Sequence, residues 1–296
     1  MVILFAACKP HTLTSSDKPV TTAVIKDARL KELSGIAAST LHPSVLYVHN
    51  DSGDSSRFFA IDTGGRLIAV CYFKGDPKLK PLGVRDCEDM CLSKGPGGGS
   101  YVYVGDIGDN DAVRKSITIY RMHEPAVGET STDGTSAAAV QHLDSDPLYL
   151  RYPDGAHDAE TLMADTIDKL LYVVTKREDS VSVYTTPLLY KSGDNVTLTF
   201  RTRLFFKGTG QEKWITAGDI SIGGDQVLLK SYTKVYYWHR NKGEAVWQTL
   251  QRGPRELPYI IEPQGEAICF GVPGAGYYTV SEGVNPTLYN YVPKLD

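Results

Sequence analysis

Cysteine is scarce in this chain of 296 residues: there are five, with no Cys-x-x-Cys and no second pair at zinc-ribbon spacing. Structural zinc and dithiol redox chemistry are therefore not expected. Cys71, Cys87, Cys91 and Cys269 read as buried free thiols, although an exported location would permit a disulfide. No run approaches the ~18 apolar residues of a membrane span. No amphipathic helical period longer than about two turns stands out, which argues against doubly wound α/β folds. Basic residues form no stripe: 31 Lys and Arg face 35 Asp and Glu, a net charge of −4, so nucleic acid is not an expected partner. The strings of serine hydrolases, zinc proteases and P-loop enzymes (Gly-x-Ser-x-Gly, His-Glu-x-x-His, Gly-x-x-x-x-Gly-Lys-Ser/Thr) are missing. Ser34, in Leu-Ser-Gly-Ile, lacks the first glycine of a nucleophile elbow, and the glycines of 95–99 lack the strand-to-helix context of a dinucleotide fingerprint.

What is present is repetition. A short acidic phrase recurs five times: Glu-Leu-Ser-Gly-Ile-Ala at Glu32, Cys-Glu-Asp-Met-Cys at Cys87, Ala-Glu-Thr-Leu-Met at Ala159, Ala-Gly-Asp-Ile-Ser at Ala217 and Gly-Glu-Ala-Ile-Cys at Gly265. The acidic residues Glu32, Glu88, Glu160, Asp219 and Glu266 lie 56, 72, 59 and 47 residues apart, the range that one four-stranded propeller blade requires. Turn residues divide each interval into short strands. They fall at 35–38, 45–49, 57–62 and 67–73 in the first interval, and at 90–93, 101–105, 116–122 and 147–152 in the second, which carries an insertion at 127–140. The third has 161–164, 170–175, 181–185 and 196–206, and the fourth 220–222, 226–231, 234–240 and 245–250.

The last interval offers only 267–270, 276–280 and 287–292, while an orphan β-rich segment at 20–25 precedes the first phrase. Pairing the two closes a ring and covers both edges. The expectation is an all-β fold: a β-propeller of five four-stranded blades closed by the N-terminal strand, occupying 20–296 as one domain, with six blades if the second interval holds a further sheet. The 18 tyrosines, mostly on these strands, suit half-buried pleated surfaces.

Residues 1–19 read differently. Residues 1–7 are apolar, Cys8 follows, and 9–19 are polar with no strand pattern. Phe5-Ala-Ala-Cys8 resembles the end of a bacterial lipoprotein signal, in which small residues precede a lipid-modified cysteine. Seven residues are fewer than the ~7–15-residue apolar core plus basic start of a full signal, so the expectation is a start further upstream. Membrane attachment would then rest on lipid at Cys8 alone.

Glu32-Leu-Ser-Gly-Ile-Ala with Leu46-Tyr-Val-His-Asn-Asp-Ser-Gly-Asp, Ala159-Glu-Thr-Leu, Leu171-Tyr-Val-Val-Thr-Lys, Gln264-Gly-Glu-Ala-Ile and Tyr278-Thr-Val-Ser-Glu together resemble the exported bacterial propellers grouped with esterase-like phytases and SdiA-regulated proteins. The resemblance covers most of 30–290 and implies a propeller in the periplasm or at the cell surface of a bacterial envelope. It is specific for architecture rather than chemistry.

Alignment of the phrases on Ile36, Met90, Leu162, Ile220 and Ile268 brings Glu88, Glu160, Asp219 and Glu266 to one channel mouth, with Glu32 slightly upstream. Crowded carboxylates need a cation, protons, or partners such as Lys176 and Arg177. A ring of hard oxygens suits Ca²⁺ or Mg²⁺ as cofactor; alternatively each acid fixes the turn of its own blade through backbone N–H groups. The hairpins Asp51-Ser-Gly-Asp54 and Asp106-Ile-Gly-Asp109 are a second ligand candidate, or simply tight turns. Asp158 and His157 lie in the dense polar run 153–160. His157 and Lys176 are the residues that would assist catalysis, as a base and as an anion contact, unless they are ordinary loop residues.

Two functions remain open. One is a monomeric, exported ligand-binding or scaffold propeller that meets a small molecule or protein at its channel face. The other is a metal-dependent hydrolase of a phosphoester or ester.

Overall fold

A computed structural model describes residues 21–127 and 138–295. The first described strand, β1 (Thr21–Val24), pairs antiparallel with the last, β22 (Thr287–Tyr291). That pairing completes a blade begun by β20 (Gly265–Phe270) and β21 (Tyr277–Ser281). The closure expected from the orphan segment is therefore the one found, and the chain is a five-bladed β-propeller.

Blade one comprises β2 (Leu33–Ala38), β3 (Val45–Asn50), β4 (Arg57–Asp62) and β5 (Leu67–Phe73). Blade two comprises β6 (Cys87–Lys94), β7 (Ser100–Asp106), β8 (Ile117–His123) and β10 (Asp146–Arg151). The third is β11 (Ala159–Asp165), β12 (Leu170–Thr175), β13 (Val181–Pro187) and β15 (Thr199–Leu204). The fourth is β16 (Ile215–Ile220), β17 (Gln226–Ser231), β18 (Val235–His239) and β19 (Arg255–Leu257). The inner strands β2, β6, β11, β16 and β20 pack each against the next and the last against the first, enclosing the channel.

Two details differ from the sequence expectation. The first two blades have five strands, because β9 (Ala139–Leu143) joins β5 in parallel and β14 (Asn195–Thr197) joins β10 in parallel. Each is lent by the following interval to the outer edge of the preceding blade, where it covers unpaired backbone groups. In blade four the segment expected as the outer strand is a short helix, α1 (Val246–Thr249), where Gln248 Oε1 accepts the Ala245 N–H at 2.9 Å; the outer strand lies beyond it at β19.

Strand alternation explains the core. On β12, Leu171 and Val173 face blade two while Tyr172 and Val174 face blade four. On β17, Val227 and Leu229 pack toward blade three and Leu228 toward blade five. Both faces of a blade are buried, so its strands read as continuous apolar runs. Each fully buried side chain contributes about 1.5–3 kcal/mol, and the apolar residues divide into five clusters, one between each pair of neighbouring blades.

Candidate functional site

Every inner strand carries a β-bulge at its second residue, where the register slips between Leu33 and Gly35, Cys87 and Asp89, Ala159 and Thr161, Ile215 and Ala217, and Gly265 and Ala267. A bulge re-aims the extra side chain. The bulged residues are Ser34, Glu88, Glu160, Thr216 and Glu266, all at the same end of the channel. They reach toward neighbouring blades: Ser34 Oγ donates to the Glu88 carbonyl oxygen (2.5 Å), and Thr216 Oγ1 to that of Gly265 (3.3 Å).

Three of the four ring acids, Glu88, Glu160 and Glu266, therefore share one mouth. Asp219 does not. It lies three residues beyond Thr216, toward the far end, where its carboxylate accepts the N–H groups of Ile220 (2.8 Å) and Phe270 (2.9 Å). The physical reason is Gly218, which stands where the other blades carry their apolar anchor. A Cβ there would come within 2.6 Å of Leu229 and 2.8 Å of the Leu228 carbonyl oxygen, so the phrase aligned on Ile220 instead, two residues out of register. Burial pushes the Asp219 carboxyl up to about 7 despite those two bonds, and Asp219 borders a small apolar cleft of about 140 Å³ with Leu92, Ile220 and Phe270.

The mouth gains further acids from the chain just after the second strands and just before β6. Asp51 follows β3, Glu282 follows β21, and Asp86 precedes β6. One carboxylate oxygen each from Asp51, Asp86 and Glu88 lie within 4.8 Å of one another, and so do those of Asp51, Glu266 and Glu282. The counter-charge is Lys176, which follows β12: its Nζ lies 2.7 Å from Glu160 Oε1 and 3.4 Å from Glu266 Oε1, and 5.3 Å from the centre of the Tyr232 ring. The Tyr232 hydroxyl donates to Glu266 Oε1.

Burial and mutual repulsion set the electrostatics. Burial, with Asp86 and Glu266 adding to it, raises the Asp51 carboxyl to about 7. Burial likewise lifts Asp86, and burial with the Glu160 charge lifts Glu88 well above the carboxylate range. Glu160 rises to about 8 through burial even though Lys176 opposes it, and Glu282 to about 8 through burial and Glu266. Burial alone would lower Lys176, but Glu160 and Glu266 drive it upward. Burial and crowding therefore favour uptake of protons at the mouth, or of another cation in their place.

The remaining predicted residues act as braces. Asp54 pairs with Arg57 (2.7 Å) and accepts from Asn50 Nδ2 (2.7 Å). Asp106 is fully buried, pairs with Arg114 (2.7 Å) and accepts the N–H groups of Arg85 and Asp86. The two Asp-x-Gly-Asp hairpins are thus offset by one: Asp106 pairs across its blade as Asn50 does, and of the four hairpin aspartates Asp51 alone enters the mouth. Asp109 caps the Arg114 N–H (2.7 Å), and Asp158 binds Arg177 (2.8 Å) and the Asp109 N–H (3.0 Å). His157 is held on both sides: Nδ1 bonds Glu178, and Nε2 lies 3.1 Å from Asp154 Oδ1 and 3.0 Å from the Tyr184 hydroxyl. The sequence reading missed Asp86, Glu282 and Tyr232 as mouth residues. The signal for Glu282 was its place directly after a second strand, which Asp51 and Lys176 share.

No family model matches the chain and no curated protein matches it. Among solved structures, it is similar to a chain in a crystal structure of a nidogen/laminin complex, at 12% identity and a TM-score of 0.43, over 85% of this chain and 73% of that one.

Proposed function

We propose that this propeller is a ligand-binding module that takes a divalent cation, Ca²⁺ in preference to Mg²⁺, at its acidic channel mouth. The observation that carries this reading is the spacing of the carboxylate oxygens. One carboxylate oxygen from each member of a triad lies within 4.8 Å of the others, close enough for a single ion with metal–oxygen bonds of ~2.0–2.6 Å to touch all three. Ca²⁺, which takes about six to eight oxygen ligands, suits so many carboxylates better than Mg²⁺, which keeps several of its waters and is held by about one or two. Gly108 supports the same reading, since a Cβ there would run into the carboxylates of Glu88 and Asp86. The bound ion would fix the loops of the channel face for a small-molecule or protein partner. The hydrolase reading is weaker, because Lys176 is held between two carboxylates and His157 has both ring nitrogens engaged.

The test is the melting temperature of wild type and Glu160→Gln, each with and without chelator. Chelator should lower wild type, Ca²⁺ should restore it, and the variant should respond less. Four equal values would reject the cation.

Membership of the esterase-like phytase and SdiA-regulated group, and envelope anchoring through Cys8, which lies outside the described residues, are proposed on the phrases quoted above. Cys8→Ala should abolish lipid labelling in a bacterial host; labelling that persists would reject the anchor.

A further inference from the structure

We infer that the end of the channel opposite the acidic mouth is a second binding site, for a small organic cation: a primary ammonium carried on an apolar body the size of one ring. This site is separate from the mouth and does not depend on what the mouth binds.

Four of the five inner strands, β2, β6, β16 and β20, contribute to the cleft of about 140 Å³ at that end. Its apolar walls include Leu92, Ile220, Ile222, Phe270, Val272 and Pro273, and Asp219 is the one charged residue that lines it. An apolar pocket with few, converging polar groups is the form that small-molecule sites take. For scale, an apolar cavity of about 150 Å³ holds one benzene.

Among the described residues, no cationic side chain acts on the Asp219 carboxylate. Its two oxygens accept one backbone N–H each, from Ile220 and Phe270. A carboxylate has about four lone-pair sites, so each oxygen keeps one for a ligand. The two bonds do not offset burial, which still holds the carboxyl at about 7. Asp89, fully buried on β6, deepens the imbalance: its oxygens accept the N–H groups of Met90 (2.8 Å) and Leu162 (2.9 Å), and the Asp219 charge bears on it. A cation beside Asp219 relieves both acids.

The lining selects the kind of cation. Ca²⁺ takes about six to eight oxygens, whereas the cleft offers one carboxylate and the hydroxyls of Ser39 and Thr40, which both donate to Glu124. A neutral apolar guest would cover the carboxylate without pairing it, which is unfavourable. An alkyl- or arylmethylammonium supplies charge and donors to Asp219, and its apolar part packs on Ile220 and Phe270.

The test titrates benzylamine, and separately its neutral counterpart benzyl alcohol, into the ¹⁵N-labelled full chain at about pH 8, where the Asp219 carboxyl is ionised. Amide NMR shifts report both site and affinity. Benzylamine should move the signals of Ile220, Phe270 and Gly271, and should bind at least about tenfold tighter than benzyl alcohol. Asp219→Asn should remove that preference and leave benzyl alcohol binding unchanged. Equal binding of the two probes in wild type overturns the inference, as do unmoved signals at Ile220, Phe270 and Gly271 or shifts confined to Asp51, Glu88 and Glu282. The comparison of probes is made on wild type, so it is independent of how the variant folds.

Discussion

Two of the places where this molecule buries charge do it in opposite ways. Between blades four and five, Lys230 is fully buried beside Glu262, with Nζ 4.0 Å from Glu262 Oε2 and 4.6 Å from the centre of the Tyr259 ring. Its ammonium donates to the carbonyl oxygens of Gly265 and Ser231 (3.2 Å), while Glu262 accepts from Tyr259 (3.0 Å) and Thr279 (2.9 Å). One cation meets one anion, and the hydrogen bonds that each needs are present. At the channel mouth, a few residues away through Gly265 and Glu266, six carboxylates gather and Lys176 pairs with two of them, Glu160 and Glu266. A balanced pair is a structural brace, whereas an unbalanced cluster is stable only with protons or a bound cation. Balance of charge, rather than burial, separates the brace from the mouth.

The sharpest way to break that comparison is to unbalance the brace. Burial lowers Lys230 to about 8 and raises Glu262 to about 7, so each charge depends on the other. Lys230→Ala should cost about 3–5 kcal/mol near pH 7.5, from the uncompensated carboxylate and the vacated space. The loss should shrink toward pH 5, where Glu262 takes a proton. Replacing both partners with apolar residues of similar size, as in Lys230→Met with Glu262→Leu, should cost less than either single change. Equilibrium urea denaturation reads all of these, and a loss below about 1 kcal/mol for Lys230→Ala would show that the pair braces nothing.

The blade count and the closing strand were legible because they follow from apolar runs and turn residues, which act locally. Val20 to Ile25 had no partner nearby in sequence, and only a blade short of one strand could accept it. The lent strands β9 and β14 were not legible, since a parallel pairing across intervals leaves no local mark. That Glu88, Glu160 and Glu266 share one channel mouth was legible because each stands directly before a recognisable apolar inner strand. Asp219 was misplaced by the glycine that crowding imposes at 218. Asp51 was seen but weighed as a turn residue, and Asp86 was missed, because which face of a loop a carboxylate takes is decided by the neighbouring blade.

The smallest expected effect tests the mouth from the other side. Glu282 is half-exposed and titrates in the fold at about 8, against 4.5 as its ordinary value. A carboxyl whose folded pKa is raised stabilises the fold below its unfolded pKa and loses that contribution as pH climbs through the folded value. Asp51 and Glu160, at about 7 and about 8, act in the same direction. In EDTA, their contribution to stability should therefore decline from about pH 4.5 to pH 8. Glu282→Gln carries no charge at either end of that window. In EDTA at pH 8 it should be more stable than wild type by about 1 kcal/mol, a figure reduced from the nominal shift because solvent screens a half-exposed group. At pH 4.5 the difference should vanish, and with Ca²⁺ at pH 8 it should reverse, since the variant has lost a ligand. Denaturation curves at the two pH values, with EDTA and with Ca²⁺, measure each difference. A variant no more stable than wild type in EDTA at pH 8 would mean that the mouth is already balanced, and the contrast with Lys230 and Glu262 would fall with it.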